Sequence, residues 1–265
     1  MKCKNCQAKF EGTYCNACGE KVIREGDFAL KKIFSQALDS LTHLDSKLFK
    51  TMKLLFFYPG KLSSQYIEGV RVPYMKPFQI FIISNIFFFI LFSNEDLFRI
   101  PAVIFFKENF EGFRIMDKVM ELSSKTGLSQ TEIANQYEHS SINLAKGLLI
   151  LLIPIIAWIG KLLHYKQKME FGKHLIFSTH FFTFFLLFFA ISGLFLFLTP
   201  DGFNRRLILI PLGLIICIYY IMAIKNFYKN SNTMALIKGV GGIFLILLSI
   251  TLYKSIVSLL ALYTL

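Results

Sequence analysis

The chain has 265 residues, of which 54% are hydrophobic and 17% are charged, and its mean hydropathy is +0.53. This composition excludes an ordinary soluble domain and is typical of a protein that crosses a membrane several times. The net charge of +12 does not require nucleic acid, because residues 1–76 carry thirteen Lys and Arg against seven Asp and Glu, and an anionic membrane surface attracts such a segment.

Four cysteines form two Cys-x-x-Cys pairs near the start of the chain: Cys3, Cys6, Cys15 and Cys18. Four thiolates make the closed tetrahedral donor set of a structural Zn²⁺ site, with no position left open for catalysis. Residues 1–22 are therefore predicted to form a zinc ribbon. Iron in a rubredoxin-like site, or a pair of redox disulfides, are the alternatives for the same residues. Cys217 lies in an apolar stretch and is interpreted as a core residue.

Residues 23–76 are predicted to hold a cytosolic amphipathic helix and a membrane-approach motif. Over residues 28–57 an apolar face recurs every three or four positions, and Thr51 is the polar residue that interrupts it. A helix of this kind lies in the headgroup plane, packs beneath a membrane bundle, or pairs with a second copy. The first two are favoured, because residues 54–58 are apolar on every side.

The chain is predicted to pass from water into lipid between Tyr58 and Phe92. Charged residues stop at Lys76, and none recurs before Glu95, a gap at the short end of what a bilayer core about 30 Å thick requires. Pro73 and Pro77 lack a backbone donor, so one helix is expected to end before them and another to begin with Pro77 in its first turn. This proline pair predicts an elbow.

Five membrane-spanning helices are predicted in residues 77–265, with an extracytoplasmic helical loop at residues 93–143. In that loop Ser129 and Glu132 have the spacing of a capping box, which predicts a helix start. After the first span at the elbow, four apolar stretches are each long enough for a bilayer: Leu144–Leu163, Leu175–Thr199, Leu207–Ala223 and Gly239–Leu262. The predicted fold class is an all-α membrane protein.

The basic residues predict the orientation of these spans. With the amino terminus in the cytosol, 20 Lys and Arg fall on the cytosolic side and 8 on the other, which is the positive-inside pattern. Five spans then put the carboxyl terminus outside the cytoplasm. A cytosolic ribbon would also keep its thiols reduced and available for metal.

Two segments resemble a known family. The sequence YCNACGE at Tyr14–Glu20 and the sequence YPGKLSSQYIEGVRVPYMKPFQIF at Tyr58–Phe81 resemble the bacterial family called domain of unknown function 3667. The second motif carries the resemblance at Pro59, Gly60, Tyr66, Gly69, Arg71, Tyr74 and Pro77. The resemblance implies a bacterial membrane protein with an amino-terminal ribbon, located in the inner membrane, and it implies no activity.

The membrane-approach motif also contains candidate lipid-headgroup residues: Tyr66, Glu68, Arg71 and Tyr74. Arg71 is suited to bidentate contact with a lipid phosphate, and the two tyrosines would line the headgroup site. The alternative is that the tyrosines and Arg71 only anchor the elbow at the interface, with Glu68 paired to Arg71.

Polar residues within the apolar stretches are further candidates. Asn85, His180 and Lys254 are ionisable or hydrogen-bonding groups at membrane depth, where such groups are often functional. His164, Glu170 and His174 flank one span and are a candidate second metal site or proton relay, although their spacing matches no ligand signature. The alternative is that these histidines are hydrogen-bonded structural residues.

The sequence favours a non-enzymatic docking or scaffold protein that uses its cytosolic zinc ribbon to recruit an unidentified protein partner. The alternative function is transport of a small solute, ion or lipid, or lipid handling, within the helical bundle. Catalysis is not predicted, because no nucleophile is paired with a base and no open metal site is evident. Nucleic acid is not the expected partner of the ribbon, since its basic residues are few. The anionic inner leaflet is the second expected partner, and a homo-oligomer is compatible with the sequence.

Overall fold

A computed structural model describes residues 1–22, 47–91, 96–107, 114–197 and 206–265. Most of the predicted amphipathic helix, residues 28–46, lies outside the described residues. The chain divides into two compact units. The first comprises Met1–Leu91 and Ile153–Leu245, and the second comprises Phe92–Leu152 and Ile246–Leu265.

Residues 1–22, which we call the ribbon, form two successive turns in the first unit. Lys2 forms an isolated antiparallel bridge with Lys9, and Tyr14 forms one with Lys21, so the second half repeats the first twelve residues later. The ribbon has a miniature core that contains Cys3, Cys15 and Phe10. With so few apolar residues, a fold of this size depends on a cross-link or a metal for its stability.

Three helices follow in the first unit: α1 (Lys47–Phe57), α2 (Lys61–Glu68) and α3 (Pro77–Leu91). Helix α1 buries Thr51 and Leu55, whereas Phe49 is 82% exposed. Helix α3 begins with Pro77, as the elbow interpretation predicted.

The prediction of an all-α membrane protein is confirmed. In the described ranges, four helical segments are long and apolar enough to cross a membrane: Gln130–Leu163, Phe171–Phe195, Ile208–Tyr228 and Asn232–Tyr263. Helix α3, the predicted first span, is a shorter apolar helix of 15 residues, about 22 Å long at 1.5 Å per residue.

The remaining helices, in chain order, are α4 (Ala102–Phe105), α5 (Ile115–Thr126), α6 (Gln130–Leu148), α7 (Leu152–Leu163), α8 (Phe171–Phe197), α9 (Arg206–Tyr228) and α10 (Asn232–Tyr263). The capping box is confirmed, because the Ser129 side chain accepts from the Glu132 amide and the Glu132 carboxylate accepts from the Ser129 amide. Helix α6 continues through one turn of 3₁₀ helix into α7, so the predicted loop helix and the span after it are one helical segment.

Helix α8 is the centre of the first unit. In its most apolar 18-residue stretch, 78% of the stretch is buried inside the protein, against 22% of the corresponding stretch of α9. Helix α3 packs along it, with Phe81 stacked on Phe182 at 6.1 Å between ring centroids. On another side, Phe184 stacks on Tyr219 of α9 at 3.4 Å. Aromatic pairs therefore fill much of this interior.

The second unit has its own core, formed by α4, α5, α6 and the end of α10. Phe105 stacks on Tyr137 with ring centroids 5.3 Å apart, and the Tyr137 hydroxyl donates to the Ile100 carbonyl. Arg99, which is nearly buried, pairs with Glu138, and the same carboxylate accepts from the Ala102 amide. A buried cation is thus matched by a hydrogen-bonded anion.

The turn between α1 and α2 predicts a stability test. Gly60 has a φ of +78°, and a Cβ built there would lie 2.4 Å from the Ala223 carbonyl oxygen of α9. We expect Gly60→Ala to lower the thermal unfolding midpoint of the detergent-solubilised protein strongly, because the backbone of α9 would have to move.

Gly127→Ala is the matched control, since Gly127 has a φ of +73° with nothing within 4 Å of the added Cβ. It carries only the left-handed penalty of about 1–2 kcal/mol. Equal losses of stability for the two variants would show that the close approach of α9 to the turn is not important.

Candidate metal centre and membrane-approach elbow

Each Cys-x-x-Cys pair sits in a tight turn with the same backbone hydrogen bonds. The Cys3 amide donates to the Ala8 carbonyl at 3.0 Å, and the Cys15 amide donates to the Glu20 carbonyl at 2.8 Å. The residue after the second cysteine is left-handed in both turns, with φ of 63° at Gln7 and 72° at Gly19. The two turns therefore present their cysteines in equivalent ways.

The four thiols converge on one point. The Sγ atoms of Cys3 and Cys18 are 3.5 Å apart, those of Cys6 and Cys15 are 3.6 Å apart, and all four lie within 4.8 Å of one another. A tetrahedron with Zn–S bonds of about 2.3 Å has S···S edges of roughly 3.8 Å. These cysteines thus form a group that could hold a metal ion, and a zinc-sized tetrahedron fits their spacing.

Neighbouring amides and thiols shift the pKa values of two of these cysteines in opposite directions. The pKa of Cys3 is lowered to about 7, chiefly because the backbone amide of Cys6 donates to its sulfur. The pKa of Cys6 is raised to about 12: a backbone hydrogen bond with Ala8 lowers it, but the thiols of Cys18 and Cys15, together with desolvation, raise it more. Four thiolates this close repel one another unless a cation neutralises them.

Glu20 connects the ribbon to the elbow, which we define as residues 69–77. This glutamate directly follows the second cysteine turn and is 4% exposed. Its Oε2 accepts from the backbone amides of Arg71 at 2.9 Å and Val72 at 3.0 Å. Two amides that belong to no helix are thereby satisfied by one buried carboxylate.

Two of the predicted headgroup residues, Tyr66 and Arg71, pack against each other. The Arg71 Nε donates to the Tyr66 carbonyl at 3.1 Å, and its guanidinium lies 5.2 Å from the centre of the Tyr66 ring. Tyr66 is 7% exposed, and burial raises the pKa of its hydroxyl to about 12.

Tyr74 and Glu68, the other two, are more accessible. The Tyr74 hydroxyl donates to Gln65 Oε1 at 2.7 Å, and burial raises the pKa of that hydroxyl. Glu68 is exposed at the end of α2. The arrangement of Tyr66 and Arg71 favours the anchoring interpretation for this pair, and it leaves Glu68 at the surface.

The candidate intramembrane residues have different settings. His180 is buried, and its Nδ1 lies 2.9 Å from the Ser63 hydroxyl. Its Nε2 has no hydrogen-bond partner in the described part of the chain. Asn85, on α3, is half-buried and belongs to the same unit as His180, whereas Lys254 is half-buried in the second unit.

His180 and Ser63 line a small cavity in the first unit, together with Leu55, Gly60 and Tyr219. Its volume is about 10 Å³, which is no more than one water molecule needs. A substrate or solute does not fit in this space.

His164 is held by three partners. Its Nδ1 donates to the Gly160 carbonyl at 3.0 Å, and its Nε2 accepts from the Asn230 side-chain amide at 2.9 Å. The ring stacks on Tyr228 with centroids 3.6 Å apart. Burial lowers the pKa of His164 to about 4, so the ring is neutral near pH 7, as this hydrogen-bond pattern requires.

His174 lies near the start of α8 and is the second candidate ligand. It also contacts Tyr228, and its Nδ1 lies 2.7 Å from the tyrosine hydroxyl. Glu170 is exposed. In the part of the chain that the structure describes, the four ribbon cysteines are the one group of three or more ligating side chains brought together. The geometry thus favours hydrogen-bonded structural histidines over a second metal site.

Several important residues were missed by the sequence analysis. The Thr51 hydroxyl accepts from the Met75 amide at 2.9 Å, so the polar interruption of the α1 face is a contact to the elbow. The Tyr219 hydroxyl donates to the Leu55 carbonyl at 2.5 Å, and the Asn226 amide donates to the Pro59 carbonyl at 2.8 Å. A polar residue on an apolar face was the only signal in the sequence for Thr51.

The four long apolar helices and the cysteine cluster define the chain as an integral, multi-pass membrane protein with a candidate metal-binding head. Residues 45–89 match the family model described as "Protein of unknown function (DUF3667)". This match confirms the resemblance seen in the membrane-approach motif, and it covers α1, α2 and most of α3. No curated protein and no solved structure matches the chain.

The cysteine cluster predicts a metal-content experiment. Cys15→Ser removes a buried candidate ligand, and we expect the purified protein to lose most of its bound metal, which elemental mass spectrometry identifies and measures. Acidification should release metal from the unsubstituted protein, because protons compete for the thiolates. Bound iron, or disulfides detected by mass spectrometry, would support the alternatives instead.

Cys217→Ser is the control for this experiment, because Cys217 is a half-buried cysteine of α9, outside the ribbon. It should leave the metal content unchanged. If the two serine variants held equal amounts of metal, the four-cysteine site would be wrong.

Glu20 predicts a separate effect at the elbow. We expect Glu20→Ala to retain its metal but to speed hydrogen exchange at the Arg71 and Val72 amides by about tenfold or more, since a hydrogen bond to a charged group contributes about 1.5–3 kcal/mol. Glu11→Ala, which removes an exposed carboxylate of the same ribbon, should leave that exchange unchanged. Unaltered exchange in Glu20→Ala would show that Glu20 does not attach the ribbon to the elbow.

Proposed function

We propose that the protein is a non-enzymatic docking protein of the bacterial inner membrane, in which a zinc ribbon on the cytosolic side recruits another protein. The observation that carries this proposal is the attachment of the ribbon to the elbow through Glu20. A docking module needs a fixed position relative to its membrane anchor, and two charge-assisted hydrogen bonds supply it.

The zinc assignment rests on the donor set. Four cysteine thiolates at tetrahedral spacing favour Zn²⁺ in a reduced compartment, and the site has no free coordination position. Such a metal holds a fold together and performs no chemistry. The expected role of the ribbon is therefore to present a surface.

The ribbon surface offers one aromatic anchor. Tyr14 is 58% exposed although it lies beside the buried ligand Cys15. Exposed tyrosines on a rigid backbone often dominate protein interfaces, because they bury a large area for little loss of side-chain entropy. The bridge between Tyr14 and Lys21 holds the backbone of this residue.

The cytosolic placement of the ribbon rests on the distribution of basic residues. It also requires that α3 crosses the membrane, so that five crossings put the two termini on opposite sides. The packing of α3 along the long, buried helix α8 supports a crossing.

Transport within the bundle is the weaker candidate. His180 has an unpartnered Nε2 in the described part of the most buried span, which is a feature of some relay sites. However, its cavity has about 10 Å³ of space. The hydroxyls of Thr179 and Thr183 donate to carbonyls of their own helix, so these side chains offer no proton path.

The test is partner recovery from native membranes after cross-linking. We expect Tyr14→Ala to lose a stoichiometric partner while it keeps its metal, and Tyr165→Ala to retain both. Tyr165 is the matched control, because it is 66% exposed and lies outside the ribbon in the His164–His174 connection. Equal recovery with both variants would remove the docking surface.

Sidedness is checked in the same cells. A protease-cleavable tag fused ahead of Met1 should be cut only after the inner face is opened. Cleavage in intact cells would contradict the cytosolic ribbon and the docking role together.

A further inference from the structure

A cavity of about 260 Å³ lies within the first unit, where the ribbon meets the end of α2. Its lining includes Lys2, Lys4, Lys21, Phe10, Glu68 and Gly69. Pockets that hold drug-sized ligands are about 300–1,000 Å³. This cavity is smaller and open at the surface, so it suits a compact polar group.

The charge on the cavity wall selects for an anion. The residues that line it include three lysines, Lys2, Lys4 and Lys21, against two glutamates, Glu20 and Glu68. Because Glu20 Oε2 accepts from two backbone amides of the elbow, part of its charge is already satisfied. Lysine ammoniums bind phosphate as mobile point charges, so an oxyanion is the class of ligand that fits.

The position of the cavity narrows the choice of anion. Gly69 of the cavity wall lies eight residues before Pro77, where the apolar helix α3 begins. The start of a membrane-inserted helix lies close to the headgroup layer. Phosphate diesters of phospholipids are the anions of that layer.

We propose that this cavity is a binding site for the phosphate of an anionic phospholipid headgroup, held by Lys2, Lys4 and Lys21. The inference rests on the membrane placement proposed above but not on the protein partner. Headgroup binding would give the ribbon a second attachment to the membrane region, beside the one that Glu20 makes to residues 71 and 72.

The site differs from a diffuse attraction of basic residues to the membrane. If the attraction is diffuse, the lipid affinity depends on the number of charges near the surface. If the lipid binds in a pocket, the affinity depends on which lysines are substituted. A comparison of the pocket lysines with exposed lysines elsewhere in the same unit separates the two.

The experiment uses the full-length, metal-loaded protein in mild detergent. A short-chain phosphatidylglycerol is titrated, and bound lipid is counted by native mass spectrometry. The triple variant Lys2→Gln, Lys4→Gln, Lys21→Gln should weaken binding by about tenfold or more, as the loss of a charge-assisted contact implies.

The matched control is Lys50→Gln, Lys53→Gln, Lys166→Gln, which removes the same charge from exposed positions of the same unit. It should change the affinity by less than about twofold. Equal weakening by both triple variants would overturn the pocket in favour of diffuse attraction.

Glu68→Gln gives an effect of opposite sign. Because this carboxylate lines the cavity and repels an anion, its removal should tighten lipid binding by a few fold. Metal content serves as the folding control for every variant. Unchanged or weaker binding in Glu68→Gln with full metal content would count against the site.

Two further arms identify the ligand. Displacement of the lipid by inorganic phosphate at similar concentration would keep the phosphate chemistry but overturn the lipid as its source. Displacement only by an acidic peptide would overturn both the phosphate and the lipid as the ligand. Equal partner recovery in the Tyr14 experiment would remove the docking proposal but leave this lipid measurement untouched, since the lipid measurement uses purified protein. The two proposals therefore fail separately.

Discussion

Backbone amides and carbonyls that leave regular helices near a membrane must find partners, because hydrocarbon offers none and each unsatisfied group costs several kcal/mol. The end of α1 and the chain between α1 and α3 contain such groups. Four side chains of the first unit satisfy five of them: Glu20, Thr51, Tyr219 and Asn226. The position of the ribbon and the packing of α9 both follow from this requirement.

This constraint accounts for the proline–glycine turn and the elbow within the segment that matches the family model. Gly60 lets α9 approach the turn so closely that Asn226 reaches the Pro59 carbonyl. Gly69 ends α2 in a left-handed conformation, with its amide bonded to Gln65. The elbow can then turn toward α3 with Arg71 folded back onto Tyr66.

The sequence predicted features that depend on neighbouring residues. The convergence of the four cysteines, the capping box at Ser129 and the start of α3 at Pro77 all follow from spacings of a few residues. The apolar runs likewise predicted the long helices, because length and hydropathy decide whether a segment can cross a bilayer.

What the sequence did not predict depends on pairs far apart in the chain. Glu20 and Arg71 are 51 residues apart, and Leu55 and Tyr219 are 164 apart. A buried glutamate in a ribbon has no distinctive spacing of its own, and it becomes recognisable only when its acceptor atoms are seen beside two free amides. The same holds for His164 and His174, whose partners Asn230 and Tyr228 lie in and after α9.

The two halves of the ribbon differ in one respect that bears on the elbow. The left-handed position is occupied by Gln7 in the first turn and by Gly19 in the second. A side chain in that conformation costs roughly 1–2 kcal/mol, whereas glycine adopts it freely. Glu20 directly follows the turn that has glycine at this position. The half of the ribbon that contacts the elbow is therefore the half with less backbone strain. A bound Zn²⁺, with an apparent binding free energy of about 10–16 kcal/mol in small zinc domains, would offset the cost at Gln7. A metal at the four cysteines would thus join the two halves, while Glu20 of the second half holds the ribbon against the elbow.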